Sequence, residues 1–426
     1  MPAPTEAPRW RRWAAQPAPR WLGGNRVELL QGGDEMFPRM VAAIDAAASE
    51  VWLATYIYTD DPSTIAVADA LDRAARRGVA VKVVVDGFGS RPTLPWLRRR
   101  CAASGVQLEV FRPIERWYAW LQPGQLRRLH QKLCVCDRSL AFVGGINLID
   151  DRHDLGHGWA EAPRLDFAVA LEGPLAASVQ VAASAIWVRS HLLRAWSAEM
   201  RELARSERPL TRARSLVRRL RSAGSLPGPD AAPAQPMRAA LLVRDNLRQR
   251  RTIERSYIAA IQAAQHRVDL AVPYFYPGRL FRRALRRAAR RGVEVRLLLQ
   301  GKIDYRFAAL AAQALYDELC AQGVRIYEYT PAFLHAKVAV VDGRWATVGS
   351  SNIDPMSLLL NLEANVVVED AGFAAELQRR LEAAFAASAE VSGRAQRSGW
   401  RGWLQRGFVA WVAAVYLRMA GVTGRY

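Results

Sequence analysis

A pattern of residues whose side chains can act together on a phosphate ester, His-x-Lys-x4-Asp, occurs twice in this chain. The two copies are 205 residues apart, and an Asn follows each His by 17 residues, after a turn rich in Gly or Ser. The residues are His130, Lys132, Asp137 and Asn147 in the first copy, and His335, Lys337, Asp342 and Asn352 in the second. A single His-x-Lys is usually structural, whereas two complete copies indicate a site.

This residue set suits a double displacement at the phosphorus of a phosphodiester. A neutral imidazole can attack phosphorus to form a covalent phosphohistidine, which divides one hard step into two. A second, protonated imidazole gives a proton to the leaving alkoxide and later takes one from the incoming alcohol. The Lys and Asn side chains supply charge and N–H donors to the phosphoryl oxygens. Because the motifs lack the carboxylate cluster that Mg²⁺ prefers, we expect neither metal nor cofactor.

The local position of these residues follows if each motif is a β-strand. Side chains two apart share a face, so each His should point the same way as the Lys that follows it. Each His also needs a carboxylate on its second ring nitrogen to fix its tautomer, and the candidates are Asp166 and Glu363. Asp137 and Asp342 complete the catalytic pattern. They lie one strand length from the His, which favours a structural ion pair over direct chemistry.

The two motifs belong to two copies of a larger unit. The segment Ala-Ala-Arg-Arg-Gly-Val occurs at 74–79 and again at 288–293, each time between an amphipathic helix and an apolar strand. Alternating helices and strands predict an α/β fold with largely buried sheets. The first copy alone contains two insertions. One includes Trp117 and Trp120, and the other, 150–159, includes two His (His153 and His157) that either line a headgroup pocket or lie on a surface loop, the favoured interpretation.

Composition divides the chain into five predicted segments. Residues 207–237 are dense in Pro and Gly and predict a linker between domains at 25–206 and 238–390. Residues 1–24 are rich in Pro, Arg and Trp, and residues 391–426 form a basic and aromatic tail. Trp beside Arg at both ends, with an apolar stretch at 408–417, is typical of an interfacial membrane anchor.

The charge and the apolar pattern restrict the partner and the location. A net charge of +20 indicates a polyanionic partner, either nucleic acid or an anionic membrane surface. The terminal Trp and Arg residues favour the membrane, and nucleic acid is the less favoured partner. No apolar run approaches the roughly 20 residues of a spanning helix, and no secretory signal is visible. We therefore expect a protein that is either soluble or peripheral on a membrane, and the family resemblance described below implies the cytoplasmic side of the cell inner membrane.

The duplicated motif resembles the signature of the phospholipase D superfamily, over roughly residues 25 to 390. Segments such as Ala-Thr-Val-Gly-Ser-Ser-Asn-Ile-Asp-Pro (346–355) are most similar to bacterial cardiolipin synthases of the B type. This resemblance implies two tandem phospholipase D-like domains with mixed sheets flanked by helices. They would be related by a pseudo-twofold axis, with the active site at their interface.

The same resemblance implies phosphatidyl transfer from phosphatidylglycerol to a second phospholipid, giving cardiolipin and the released headgroup alcohol. It implies His130 as the nucleophile and His335 as the acid and base, although the sequence alone leaves that order open. Two alternatives remain at this point. One is a phospholipase D-like hydrolase, phosphodiesterase or nuclease with water as the acceptor, and the other is a non-catalytic binding protein. Two complete motifs disfavour the second alternative.

Overall fold

The computed structural model describes residues 19–114, 127–203, 237–245, 249–301, 315–354 and 361–391, with the backbone alone described for 192–203. Several predicted features lie outside the described residues. These are most of the N-terminal segment (1–18), the insertion with Trp117 and Trp120, the linker up to residue 236, and the tail from residue 392. The predicted domain boundaries remain predictions, and the first described strand begins at Leu22, slightly before the predicted start at residue 25.

The first half contains a seven-stranded mixed sheet within the described residues, in the order β1-β9-β6-β5-β2-β3-β4. A separate two-stranded hairpin comprises β7 and β8. The strands are β1 (Leu22–Gln31), β2 (Glu50–Thr55), β3 (Ala80–Asp86), β4 (Gln107–Phe111), β5 (Leu133–Cys136), β6 (Leu140–Gly144), β7 (His153–Asp154), β8 (Gly158–Trp159) and β9 (Phe167–Glu172). The helices are α1 (Gly32–Ala46), α2 (Pro62–Arg76), α3 (Leu94–Ser104) and α4 (Pro174–Leu203), with a 3-10 turn at Arg91–Thr93.

The second half repeats this order as β10-β16-β15-β14-β11-β12-β13, with β17 added at the edge. The strands are β10 (Met237–Arg244), β11 (Arg267–Ala271), β12 (Glu294–Gln300), β13 (Val324–Tyr329), β14 (Val338–Val341), β15 (Trp345–Gly349), β16 (Glu363–Glu369) and β17 (Ala389–Glu390). The helices are α5 (Thr252–Ala263), α6 (Arg279–Arg290) and α7 (Ala371–Ala386), and residues 315–320 are also helical. The prediction of two α/β units with mixed sheets is confirmed.

The repeated Ala-Ala-Arg-Arg-Gly-Val segment ends a helix and starts a strand in both halves. Gly78 and Gly292 follow α2 and α6 with φ of +91° and +87°, a conformation that costs glycine little. The strands that follow, β3 and β12, each pair in parallel with the strand before the helix. Parallel pairing places the carboxyl ends of β2 and β3 at one edge of their sheet, and those of β11 and β12 at one edge of theirs.

The two halves share one hydrophobic core. The amino ends of β1 and β10 pair antiparallel, and one cluster contains Val143 and Val169 of the first half with Val348 and Val366 of the second. Helices α1 to α3 cover a second cluster, and α5 and α6 cover a third. Fully burying a Val or Leu side chain contributes about 1.5–3 kcal/mol, so the shared cluster holds the halves in a fixed relation.

Candidate active site

Each motif His lies in an extended segment that ends where a strand begins. The sequence placed His and Lys within the strand, but β5 starts at Leu133 and β14 at Val338, directly after each Lys. The His segments pair across the halves instead. The backbone N–H of His130 donates to the carbonyl of Leu362 at 3.0 Å, and that of His335 donates to Leu165 at 2.8 Å.

This cross-pairing decides which carboxylate contacts which imidazole. Glu363 directly follows Leu362, and Asp166 directly follows Leu165. Each acid therefore reaches the His of the other half. Nδ1 of His130 lies 2.9 Å from Oε2 of Glu363, and Nδ1 of His335 lies 2.5 Å from Oδ2 of Asp166. A carboxylate acceptor fixes the proton on Nδ1 and leaves Nε2 for chemistry. The two acids predicted from sequence are the ones in contact with the imidazoles, and each contacts the His of the other half.

The two His–acid pairs differ in what surrounds the carboxylate. Ser350 donates its hydroxyl to Oε2 of Glu363, and the Ser350 carbonyl lies 3.2 Å from Nδ1 of His130. Gly145 takes the matching position beside Asp166, where a Cβ would come within 2.3 Å of the carboxylate oxygen. The Gly-rich turn before Asn147 therefore makes room for the Asp166 carboxylate. Identical histidines therefore have unequal partners.

Burial dominates the electrostatics of the site. It lowers the pKa of both imidazoles, that of His335 well below its ordinary value, so both are neutral at pH 7. Burial also raises the pKa of Asp166 to about 6, against the opposing effect of Lys337. The pKa of Glu363 lies below its ordinary value, because His130, Lys132 and the Ser350 hydroxyl outweigh the effect of burial. Glu363 is thus the more firmly ionised of the two acids.

The motif lysines are buried at the same place. Nζ of Lys132 donates to the His130 carbonyl at 2.7 Å, and Nζ of Lys337 donates to the His335 carbonyl. The ring of Tyr56 lies near both the His130 ring (5.2 Å) and Nζ of Lys132 (5.5 Å), so these side chains share one side of the segment. Burial lowers the pKa of Lys132 to about 7 and that of Lys337 to about 8.

The two motif asparagines lie beyond the turns that follow β6 and β15, and both are buried. Oδ1 of Asn147 accepts the backbone N–H of Ile57 at 3.3 Å, which directs the amide N–H groups of Asn147 elsewhere. Oδ1 of Asn352 is buried without a hydrogen-bond partner among the described residues. An unpaired buried amide oxygen costs free energy. Binding of phosphate by these residues remains a prediction.

Asp137 and Asp342 lie at the far end of β5 and β14 from the histidines, each with φ near +50°. The Asp137 carboxylate accepts the N–H groups of Ala48, Ser49 and Glu50 at 2.7–2.9 Å. The amides of residues 265–267 bind Asp342 in the same way at 2.8–2.9 Å. These amides outweigh burial and lower the pKa of Asp137 to about 2. The contacts support the structural interpretation over the catalytic one, with backbone amides in place of the expected ion pair.

Two positioning residues were missed by the sequence analysis. The backbone N–H of Leu129, just before His130, donates to the Asp86 carboxylate at 2.8 Å. At the matching place in the second half, Leu334 donates to Oε1 of Gln300 at 2.7 Å. Asp86 and Gln300 end β3 and β12, at equal distance from the repeated Ala-Ala-Arg-Arg-Gly-Val segment. That alignment was the available signal, although the residue types differ.

The second insertion forms the β7–β8 hairpin beside the site. Nδ1 of His153 lies 2.8 Å from an Asp61 oxygen, and its ring stacks on Trp159 with centroids 5.0 Å apart. His157 bonds Asp154, and its ring lies 5.5 Å from Phe333. Both histidines are thus engaged within or beside the hairpin, which favours the surface-loop interpretation over a headgroup pocket.

A family model described as cardiolipin synthase, phospholipase D-like domain, matches this chain at residues 40–157 and 257–385. The chain belongs to the cardiolipin synthase family of phospholipase D-like proteins. It is an enzyme of the phosphatidyltransferase type, as the family resemblance implied. The two matched regions correspond to the two halves of the fold.

Two relatives and one solved structure illustrate the similarity. The chain is 36% identical over 382 residues to cardiolipin synthase B of Shigella flexneri, covering 87% of this chain and 83% of the relative. It is 33% identical over 376 residues to cardiolipin synthase A of Pseudomonas fluorescens SBW25, covering 88% and 72%. The crystal structure of phosphatidylserine synthase from Haemophilus influenzae Rd KW20 covers 97% of each chain with a TM-score of 0.64, and at 13% identity it shows the shared fold.

Both relatives are named as cardiolipin synthases, and both come from bacteria. Among the helices that the structure describes, none has the length and apolarity needed to cross a bilayer.

Proposed function

We propose that this enzyme transfers the phosphatidyl group of phosphatidylglycerol to a hydroxyl of a second phospholipid headgroup. With a second phosphatidylglycerol as the acceptor, the products are cardiolipin and glycerol. One observation carries the proposal: two His–carboxylate pairs, each built across the halves and each accompanied by a buried Lys, meet at one site. Cardiolipin synthases over 30% identical along most of the chain support the same substrate class.

In the first step, Nε2 of His130 attacks phosphorus and the bond from phosphorus to the glycerol oxygen breaks. His335, protonated when the anionic phosphodiester binds and raises its pKa, gives its proton to that oxygen, and glycerol leaves. The product is a phosphatidyl group on His130. In the second step, His335 takes the proton of the acceptor hydroxyl, whose oxygen attacks phosphorus and releases His130.

The unequal carboxylates favour His130 as the nucleophile. Positive charge develops on the attacking imidazole as its nitrogen bonds to phosphorus. Glu363, held ionised by its contacts with His130, Lys132 and Ser350, stabilises that charge better than Asp166, whose pKa is raised to about 6. General acid catalysis by the other imidazole contributes roughly 10²–10⁴-fold.

The lysines and asparagines act on the phosphoryl oxygens. The phosphodiester anion favours the ammonium forms of Lys132 and Lys337, whose pKa values of about 7 and 8 lie close to neutrality. Asn147 and Asn352 then donate amide N–H bonds to the same oxygens. The buried position of all four groups strengthens these interactions where charge accumulates in the transition state.

The enzyme is peripheral on the cytoplasmic side of the inner membrane under this proposal. Residues 1–24 and 391–426, with their Trp and Arg, are the segments we assign to anionic phospholipid contact. The catalytic domains are residues 25–206 and 238–390, joined by the linker at 207–237. Acceptance of a lipid hydroxyl rather than water requires a site shielded from bulk solvent at the membrane.

The test is turnover of vesicles that contain phosphatidylglycerol labelled in its headgroup phosphate, with a metal chelator present. Cardiolipin and free glycerol in equal amounts are the expected products. The variants His130→Gln and His335→Gln should be inactive, and His266→Gln, at an exposed His outside the site, should keep full activity. Phosphatidic acid as the sole product would show a hydrolase. DNA cleavage without lipid turnover would show a nuclease, and loss of activity with the chelator would contradict metal-free chemistry.

A further inference from the structure

Among the residues that the structure describes, large hydrophobic side chains are exposed at six positions, with exposed fractions of 36–62%. They occupy three places: the loop after β3, the β7–β8 hairpin, and the segment from β11 into α6. The residues are Phe88, Leu155, Trp159, Tyr274, Tyr276 and Leu280. We call this set the docking rim. Scattered exposed hydrophobics need no explanation, but three groups that each adjoin the same site do.

That feature is the site. The Arg128 guanidinium lies 5.2 Å from the Phe88 ring, and Arg128 is two residues before His130. The backbone N–H of Tyr276 donates to the carbonyl of Ile353 at 2.8 Å, next to Asn352. The hairpin reaches Phe333, two residues before His335, through the 5.5 Å contact with His157 described above. Each part of the rim is therefore joined by a direct contact to a segment beside a motif residue.

The hairpin presents its hydrophobic side chains from a rigid support. His153 is held by Asp61 and by the stack on Trp159, and the Arg164 guanidinium donates to the backbone carbonyls of Asp150 and His153. On this support Trp159 is 62% exposed and Leu155 is 46% exposed. Exposure of this kind on a fixed element indicates a surface that is covered during function.

The chemistry of the rim points to one partner. Exposed arginines lie beside its three parts, at Arg91, Arg152 and Arg279. Aromatic and Arg side chains also suit single-stranded nucleic acid, where bases stack on rings. Leu155 and Leu280 cannot stack on bases, but they partition into the acyl region below anionic headgroups. We propose that the docking rim inserts into the surface of an anionic phospholipid bilayer and holds the site against it. The inference rests on the proposed function only in the choice of substrate for the test.

The test separates binding to a bilayer from chemistry. The variants are Leu155→Ser with Trp159→Ala, and Arg152→Glu. Arg76→Glu is the matched control, because it changes the same charge at the exposed end of α2 that leads to the Gly78 turn, away from the rim. Each protein is sedimented with vesicles of phosphatidylglycerol and phosphatidylcholine. Each is then assayed on those vesicles and on short-chain phosphatidylglycerol dispersed as monomers.

The two rim variants should partition into vesicles at least about tenfold more weakly than wild type and lose vesicle turnover in proportion. Their turnover of monomeric substrate, like both activities of the control, should match wild type. If the rim variants bind vesicles as well as wild type does, the docking rim is overturned. It is also overturned if Arg76→Glu loses as much vesicle binding as the rim variants. Rim variants that keep vesicle binding but bind single-stranded DNA more weakly would show nucleic acid as the partner instead. If the proposed function is wrong, wild type turns over neither vesicles nor monomeric phosphatidylglycerol. The sedimentation experiment still shows whether the docking rim binds the bilayer.

Discussion

Replacing Glu363 by Gln should affect the first chemical step more than replacing Asp166 by Asn. Gln preserves the shape of the side chain and removes a negative charge whose oxygen lies 2.9 Å from Nδ1 of His130. Two unit charges about 4 Å apart interact with about 4 kcal/mol at an effective dielectric constant of about 20. If that energy stabilises the cationic imidazole during attack, its loss slows phosphohistidine formation on the order of 10³-fold.

The assay uses a phosphatidyl ester of p-nitrophenol, whose leaving group departs as a stable anion and needs no proton. Rapid mixing should give a burst of one p-nitrophenolate per wild-type site. Asp166→Asn, which weakens only the acid and base His335, should keep that burst at close to the wild-type rate and then turn over slowly. Glu363→Gln should show the burst rate reduced on the order of 10³-fold.

Circular dichroism and thermal melts control for misfolding, because both substitutions change fully buried acids. Equal loss of burst rate in the two variants would refute the division of roles between the histidines. A fast burst in Glu363→Gln with none in Asp166→Asn would show that His335 is the nucleophile.

Two further predictions concern stability. Lys337 is 1% exposed and its pKa falls from 10.5 to about 8, so the unfolded chain binds more protons between pH 8 and 10.5 and stability rises with pH in that window. Below pH 8 the buried ammonium lowers the free energy of unfolding by the full amount, about 3 kcal/mol. Lys337→Met should therefore raise the melting temperature at pH 7 while abolishing transfer. An unchanged or lower melting temperature would contradict this. Asp137 has its pKa lowered to about 2, so it stabilises the fold above pH 4, and this is lost as the pH falls to 2. Asp137→Asn should lower stability by about 1 kcal/mol in denaturant titrations at pH 7 with kcat unchanged, and a collapse of kcat in a folded variant would restore a catalytic role.

The chemistry of the site was accessible from the sequence because it depends on residue types at fixed local spacing. His130 with Lys132 and His335 with Lys337 were identified in this way, and so were the two acids. The crossed pairing was not accessible, since it depends on Leu129 bridging Leu362 and Leu165 bridging Leu334 between distant parts of the chain.

The fold was predicted at the level of two α/β units, because the helix–strand alternation and the Gly turns repeat. Details that depend on packing were not predicted. Ser350 and Gly145 occupy matching turns, but only the structure shows that one donates to a carboxylate and the other makes room for one. Asp86 and Gln300 occupy the same position in the repeat, and both accept a backbone N–H. Because one is an acid and the other an amide, their equivalence was not visible in the sequence.

The central claim is that one histidine, His130, carries the phosphatidyl group between two lipids. The most direct measurement is rapid mixing of the enzyme with phosphate-labelled phosphatidylglycerol, denaturation at alkaline pH to preserve the phosphoramidate, and peptide mapping by mass spectrometry. Label should appear on His130 in wild type, be absent in His130→Gln, and persist in His335→Gln with the p-nitrophenyl ester. Label on His335, or product formation with no labelled histidine at any time, would contradict the account.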